Sequence, residues 1–368
     1  MGSCRKLRAL FRFTGRRFAI NAALTGSSVV VAAILFIGGY EIYQSRRYDQ
    51  WKAAYQRLMQ RYDTLTIPSP NEVLLWEYRP HAEFYDAEFK YRINTNGSGF
   101  RDREFDAPND GAGGFRVAFV GDSVTLGFKV SEENTFVRRF EQFARRVRPE
   151  RKIQAMNFGV DGYQVMQIYE LLRTKVLRFA PDKVVYMMSL NDFDFEDASG
   201  KKILFFKKPS SFFLEKLGQL YRRLSQKEYY RYYFEKNSET GLRAAVGMRD
   251  LLMSRAIPFQ IVLLPVFEAS DKGFEHYRLR DLHRQISSML AQHDIEVVDL
   301  VEDFAKQNGT QQSYAHDVWH PNDEGHRFIA QRLLKLVVGE DLDDEPAVPA
   351  EETKSPRRIG NALREFTS

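Results

Sequence analysis

The stretch Phe119-Val120-Gly121-Asp122-Ser123-Val124-Thr125-Leu126-Gly127 sets a serine directly after an apolar run, Val117 to Val120, that reads as a short buried strand. A hydroxyl leaving the carboxyl end of a parallel strand stands where open α/β sheets bind ligands, although serine also serves at such places as a turn residue or helix cap. As a nucleophile it needs a base, a group that orients the base, and donors for the developing oxyanion. The chain holds a candidate for each. In Asp317-Val318-Trp319-His320-Pro321-Asn322, His320 can be the base, and Asp317 can hold its imidazole through Nδ1 while Nε2 faces the serine. The oxyanion donors would be the N–H of Ser123, the N–H of Gly159 in Asn157-Phe158-Gly159-Val160-Asp161-Gly162, and the side-chain amide of Asn191 in Ser189-Leu190-Asn191-Asp192. This is equipment for attack on an ester carbonyl through a covalent acyl intermediate. The neighbouring polar residues read more plainly. Asp122 ties down its turn, Asp192 fixes its loop, His316 and His326 serve a loop and a helix face, and Asp161 and Tyr163 are candidates to line the pocket.

These groups can meet only if they leave one edge of one sheet. From Arg116 onward, short apolar runs at 116–120, 153–157, 183–188, 259–264 and 295–299 are mostly separated by helical patterns at 135–147, 164–179, 241–254 and 277–292, and a last helix at 323–338 closes the unit. Ser123 follows the first run, Gly159 the second and Asn191 the third. Strands alternating with helices imply a mainly parallel sheet covered on both faces. The expected fold is therefore a three-layer α/β/α sandwich over residues 116–338.

Taken in order, Ser123, Gly159, Asn191 and His320 resemble the four signature blocks of the SGNH (GDSL-type) hydrolases, with Asp317 in the position of their D-x-x-H acid. The resemblance implies a flavodoxin-like sandwich, a serine esterase or acyltransferase mechanism, and neither metal nor organic cofactor. It makes Ser123 the nucleophile, His320 the base, Asp317 the orienting acid, and the Ser123 N–H, Gly159 and Asn191 the oxyanion hole. The segment Asn94-Thr95-Asn96-Gly97-Ser98-Gly99-Phe100-Arg101-Asp102 is similar to an N-x-x-G-F-R segment of membrane-anchored bacterial members. Two places depart from the pattern: Ser189 replaces the usual glycine of the third block, and the first block runs on as Val-Thr-Leu-Gly. A G-x-S-x-G elbow is excluded by Thr125, and no G-x-G-x-x-G opens the first helix.

The 368 residues carry a formal net charge of +5 that is unevenly spread. Residues 1–17 are a basic head with Arg5, Lys6, Arg8, Arg12, Arg16 and Arg17, and residues 18–40 then run without an ionisable side chain before Tyr40. A helix of that length matches the hydrocarbon thickness of a bilayer, and the flanking charge keeps the N-terminus cytoplasmic and the rest extracytoplasmic, periplasmic in a Gram-negative cell. The basic head is thereby explained without nucleic acid. A cleavable signal peptide is the competing reading, but the run exceeds the usual h-region of about 7–15 residues and no A-x-A site follows. Cys4 is the sole cysteine, so no disulfide forms within the chain. Residues 41–115 read as a helical linker broken at Pro68 and Pro70, then extended structure with a turn at Asn96-Gly97. Residues 197–236, rich in Phe, Tyr, Lys and Arg, form an insertion: a packed helical pair, a lid, a face on lipid headgroups, or a docking surface for a membrane partner. Residues 339–368 are an acidic tail expected to be disordered. The expected activity is that of an anchored serine esterase acting on an acylated surface glycan or lipid. Its rivals are an acyltransferase working with a membrane-bound O-acyltransferase and a catalytically silent scaffold.

Overall fold

The computed structural model describes residues 25–50, 65–87, 89–105, 114–195, 211–224, 228–267, 272–307 and 309–341. The basic head, the first residues of the apolar run, residues 51–64, half of the insertion and the acidic tail beyond 341 lie outside that set.

The chain opens with helix α1 (Thr25–Gln50), long and apolar enough to cross a membrane, its apolar residues Val29, Val30, Val31, Ile34, Leu35 and Phe36 turned outward rather than into a core. Two short antiparallel pairs follow, β1 (Thr66–Pro68) with β2 (Trp76–Tyr78), and β3 (Glu83–Asp86) with β4 (Tyr91–Asn94). The turn expected at Asn96-Gly97 is present, the Asn96 carbonyl accepting the N–H of Gly99 at 2.9 Å, and a further reversal that the sequence did not announce joins β3 to β4 between Asp86 and Tyr91.

The central sheet has five parallel strands: β5 (Phe115–Gly121), β6 (Ile153–Gly159), β7 (Lys183–Met188), β8 (Phe259–Leu263) and β9 (Val297–Asp299), in the order β6-β5-β7-β8-β9. Between β5 and β6 lie α2 (Ser123–Leu126) and α3 (Phe136–Val147); α4 (Val165–Thr174) leads to β7. Next come α5 (Phe212–Leu224) and α6 (Tyr229–Met253) before β8, α7 (Arg280–Ala291) before β9, then α8 (Val301–Ala305) and α9 (Asp323–Val338). Crossovers in parallel sheets are right-handed. The step from β5 to β6 therefore puts α3 on one face, and the return past β5 to β7 puts α4 on the other. The packing agrees, with α9 against α3, and α6 against both α4 and α7.

Because both faces are covered, β5 beyond Arg116 and β7 beyond Lys183 are apolar without alternation and wholly buried. Phe119 of β5 lies between the rings of Phe136 and Phe140, at 5.9 and 5.3 Å. The strand order reverses direction at β5, so the switch point, where such sheets bind ligands, lies at the carboxyl ends of β5 and β7. The expected three-layer sandwich is the fold observed. The largest boundary shift is in the helix expected at 241–254, which begins at Tyr229, so the second helix of the insertion and the core helix are one continuous element.

Candidate active site

Ser123 owes its position to a short turn that the sheet cannot shift. Asp122 caps α2, its Oδ1 accepting the Val124 N–H at 2.9 Å, and Gly127 ends the helix in the left-handed region at φ 80°. Asp122 is fully buried, which pushes its carboxyl pKa up, while the Val124 N–H and the Asn191 amide pull it back. The Ser123 N–H has no hydrogen-bond partner among the described residues. The far end of the turn is clamped by Arg101, whose buried guanidinium donates to the carbonyls of Leu126 (3.1 Å), Gly127, Arg92 (2.7 Å) and Val130 (2.7 Å). Asp102, next in the chain, accepts from Arg138 at 2.6 and 2.8 Å and from the Asn157 N–H at 2.8 Å, which ties the same segment to β6. The N-x-x-G-F-R-D stretch thus braces both the nucleophile turn and the neighbouring strand.

His320 arrives on a loop closed by pairing of Ala315 with Pro321 and by the His316 N–H donating to the His320 carbonyl at 2.8 Å. Asp317 Oδ1 accepts the N–H groups of Trp319 (2.8 Å) and His320 (2.9 Å), which folds the loop around the carboxylate. Both carboxylate oxygens lie 2.9 Å from His320 Nδ1, and His320 Nε2 lies 3.0 Å from Ser123 Oγ. An ionised carboxylate only accepts, so Nδ1 carries the proton and Nε2 is left to accept from the serine hydroxyl. Burial alone would raise the Asp317 pKa. The hydrogen bond and charge of His320, with the Lys129 hydrogen bond, outweigh it and hold the carboxyl well below the usual carboxylate range.

Lys129 was not legible in the sequence. It follows the nucleophile turn at φ 70°, bonds Asp317 Oδ2 through its ammonium, and lies 4.3 Å over the ring of Phe89 from the β3–β4 turn. Phe89 also meets the His316 ring edge-on at 5.9 Å. The only local sign of Lys129 is a non-glycine residue in a left-handed conformation, visible only once the backbone is known.

Asn191 stands in the single turn Leu190–Phe193 after β7 and gives one Nδ2 hydrogen to Asp122 Oδ2 at 3.0 Å. An amide nitrogen has two hydrogens, so one remains to give. Asp192 fixes this turn as expected, accepting the Ser189 N–H at 2.9 Å and the Tyr186 hydroxyl at 2.7 Å. Gly159 departs from expectation: its N–H already donates to Asn157 Oδ1 at 2.9 Å. A Cβ there would stand 2.1 Å from the Leu126 nitrogen, so its lack of a side chain lets α2 close on β6. The glycine three residues on, Gly162, sits half-buried at φ 73°, and its N–H has no partner among the described residues. Its signal in the sequence was the second glycine of Gly159-Val160-Asp161-Gly162. Tyr163 is buried, its hydroxyl donating to the Trp76 carbonyl, and Asp161 pairs with the Tyr78 hydroxyl. His326 is buried and stacked on Phe136, and burial drives its pKa far down, leaving a neutral Nδ1 that accepts the Phe136 N–H. Among the described residues no group of three His, Cys, Asp or Glu side chains is placed to hold a metal.

A sheet edge bearing this Ser–His–Asp chain defines an SGNH-type ester hydrolase. Residues 119–328, more than half of the chain, match the sequence model of the GDSL-like Lipase/Acylhydrolase family, and the protein belongs to that family. Among solved structures it is similar to Axe2, an acetylxylan esterase from Geobacillus stearothermophilus, at 20% identity over 61% of this chain and 94% of that one, with a TM-score of 0.40. The acetyl xylan esterase AlAXEase is 18% identical over 61% of this chain and 100% of its own, with a TM-score of 0.38. LAE5, an alpha/beta hydrolase enzyme from the metagenome of Lake Arreo, Spain, is 20% identical over 61% of this chain and 94% of its own, with a TM-score of 0.37. No curated protein matches the chain.

Proposed function

We propose that Ser123, His320 and Asp317 are a catalytic triad that cleaves ester-linked acyl groups through an acyl-enzyme. The reading is carried by the unbroken hydrogen-bond chain from Asp317 through His320 to Ser123, with 2.9 Å and 3.0 Å links. In it, Ser123 Oγ attacks the ester carbonyl while His320 Nε2 takes its proton; Asp317 steadies the imidazolium, which then protonates the leaving alcohol. Water attacks the acyl-enzyme by the same route and frees the acid. The oxyanion would be met by the Ser123 N–H and the free Asn191 hydrogen. Gly159 can join only by giving up its bond to Asn157, so the N–H of Gly162 is the better candidate for the third donor.

The chain is read as anchored by residues 18–40 with the hydrolase domain outside the cytoplasm, and its substrate as an acylated surface glycan or lipid. The outward apolar side chains of α1 support the anchor. The same acyl-enzyme could instead pass its acyl group to a polysaccharide hydroxyl, supplied by a membrane-bound O-acyltransferase. Acceptor-dependent release with little turnover in water would decide for that route. Ser123→Ala should abolish labelling by a fluorophosphonate probe and hydrolysis of p-nitrophenyl acetate. Labelling that persists in this variant removes the nucleophile assignment.

A further inference from the structure

The described part of the insertion between β7 and β8, from Ser211 on, is tied at both ends, and the ties are of different kinds. At its start, the Glu41 carboxylate of α1 accepts the Ser211 hydroxyl at 2.5 Å and the N–H groups of Phe212 and Phe213, each at 2.9 Å. A carboxylate set on the first N–H groups of α5 satisfies donors that the helix itself cannot. Around this cap, Tyr40 meets Phe213 edge-on at 6.3 Å and Tyr48 meets Phe212 at 5.9 Å. Glu41 is the first charged residue after the apolar run that ends at Tyr40, with Tyr43, Arg46 and Arg47 close behind. Tyrosines followed by charges are what a spanning helix carries at the membrane–water boundary. The start of α5 is therefore pinned at the level where α1 leaves hydrocarbon.

Along α5 the side chains of Leu214, Leu217, Leu220 and Tyr221 are 66%, 43%, 49% and 61% exposed. At 100° per residue they fall within an arc of about 120°, one continuous apolar stripe. No described part of the protein covers it. Lys216 lies off this stripe, and Arg222 and Arg223 follow it in the sequence, basic residues suited to anionic headgroups. At the other end, α6 reaches the site. The Tyr229 hydroxyl donates to Asp194, and the half-buried Tyr230 phenol faces Trp319, the residue before His320.

We propose that α5 lies in the headgroup layer of the bilayer beside the anchor, its leucine stripe toward the acyl chains, and so holds the catalytic loop at the membrane surface. The occupant follows from continuity: α5 starts on the residue at which α1 emerges, and its 13 residues extend only about 20 Å from there. The site would then face esters presented at that surface, in lipids or in glycans on lipid carriers. The inference rests on the anchored reading of residues 18–40 but fails separately from it.

The test uses the full chain with Cys4→Ser, reconstituted in liposomes of phosphatidylethanolamine and phosphatidylglycerol. An environment-sensitive fluorophore is placed at Leu217→Cys or, about 100° round the helix and outside the stripe, at Lys216→Cys. The expected result is a blue-shifted probe at 217 quenched by lipids spin-labelled high on the acyl chain, and an unquenched probe at 216. Equal quenching at the two positions, or none at 217 in protein that resists carbonate extraction, overturns the proposal and leaves the anchor standing. Protein released by carbonate removes the anchor itself. Shielding at 217 in native membranes that is absent from pure lipid overturns it in favour of a protein partner.

Discussion

Ser123 and His320 stand 3.0 Å apart, yet the turn that carries the serine and the loop that carries the histidine are built differently. Around the serine, Asp122, Thr125 and Leu126 are fully buried, and the buried Arg101 adds a clamp from a distant segment. Around the histidine, Asp317 is 27% exposed and Trp319 40% exposed, and the loop is held chiefly by its own hydrogen bonds and by the Lys129 ion pair. Packing fixes one partner and local electrostatics the other. Damage to the first should therefore appear as lost stability, and damage to the second as lost rate with the fold intact.

The largest effect should come from His320→Ala. The rate on p-nitrophenyl acetate should fall by about 10⁴-fold or more, with a thermal melt close to that of the parent. A melt that collapses would mean that the base loop is structural after all. Next in size is Arg101→Met, which leaves four carbonyls, three of them buried, without their donor and should cost about 3–5 kcal/mol in chemical denaturation. An unchanged denaturation midpoint would break the contrast from the other side.

A smaller effect is expected of Lys129→Met, which removes one of the two side-chain partners of Asp317. The rate should fall about tenfold, some 1.4 kcal/mol of barrier. Asp317 is held below its ordinary pKa, so its contribution to stability is complete above about pH 4 and is lost as the pH falls through its folded value. Without Lys129 that contribution shrinks, and the acid-unfolding midpoint should move to higher pH; a midpoint that stays or moves down counts against the ion pair. The smallest effect should be that of Phe89→Ala, which removes the ring under the Lys129 ammonium, worth about 0.5–1 kcal/mol. Coupling between the two can be read from the double variant: if the losses simply add, Phe89 does not act through Lys129.

Residues 65–105 teach a related lesson. They precede the part of the chain that matches the family, yet they supply Arg101 to the nucleophile turn, Phe89 to the Lys129 ammonium, and Tyr78 and Trp76 to the turn after β6. From the sequence they read as extended structure of no stated role. The strands and helices of the sandwich were legible because each declares itself over a few neighbouring residues: β7 falls at 183–188 as read, and α9 at 323–338 with its cap Asn322. The β3–β4 reversal was not, because residues 87–90 carry no asparagine-glycine pair and the pair at Asn96-Gly97 serves a different turn.

The order of chemical groups along the chain already determined that Ser123 and Asn191, each placed just after its own strand, share one edge of a parallel sheet, since strand direction and crossover hand leave little choice, whereas His320 comes on a loop well past β9 and α8. The acid was equally local, three residues from the imidazole it bonds. What the tertiary structure alone decided were the contacts between remote segments. Lys129 reaches Asp317 across 188 positions of chain, and Arg101 reaches the nucleophile turn from 26 residues upstream. The bare Gly159 lets Leu126 of α2 close on β6, and Glu41 caps a helix 171 residues away. Local sequence encodes what a residue can do over one turn or strand; which distant partner satisfies its charge or its N–H is settled only when the layers pack.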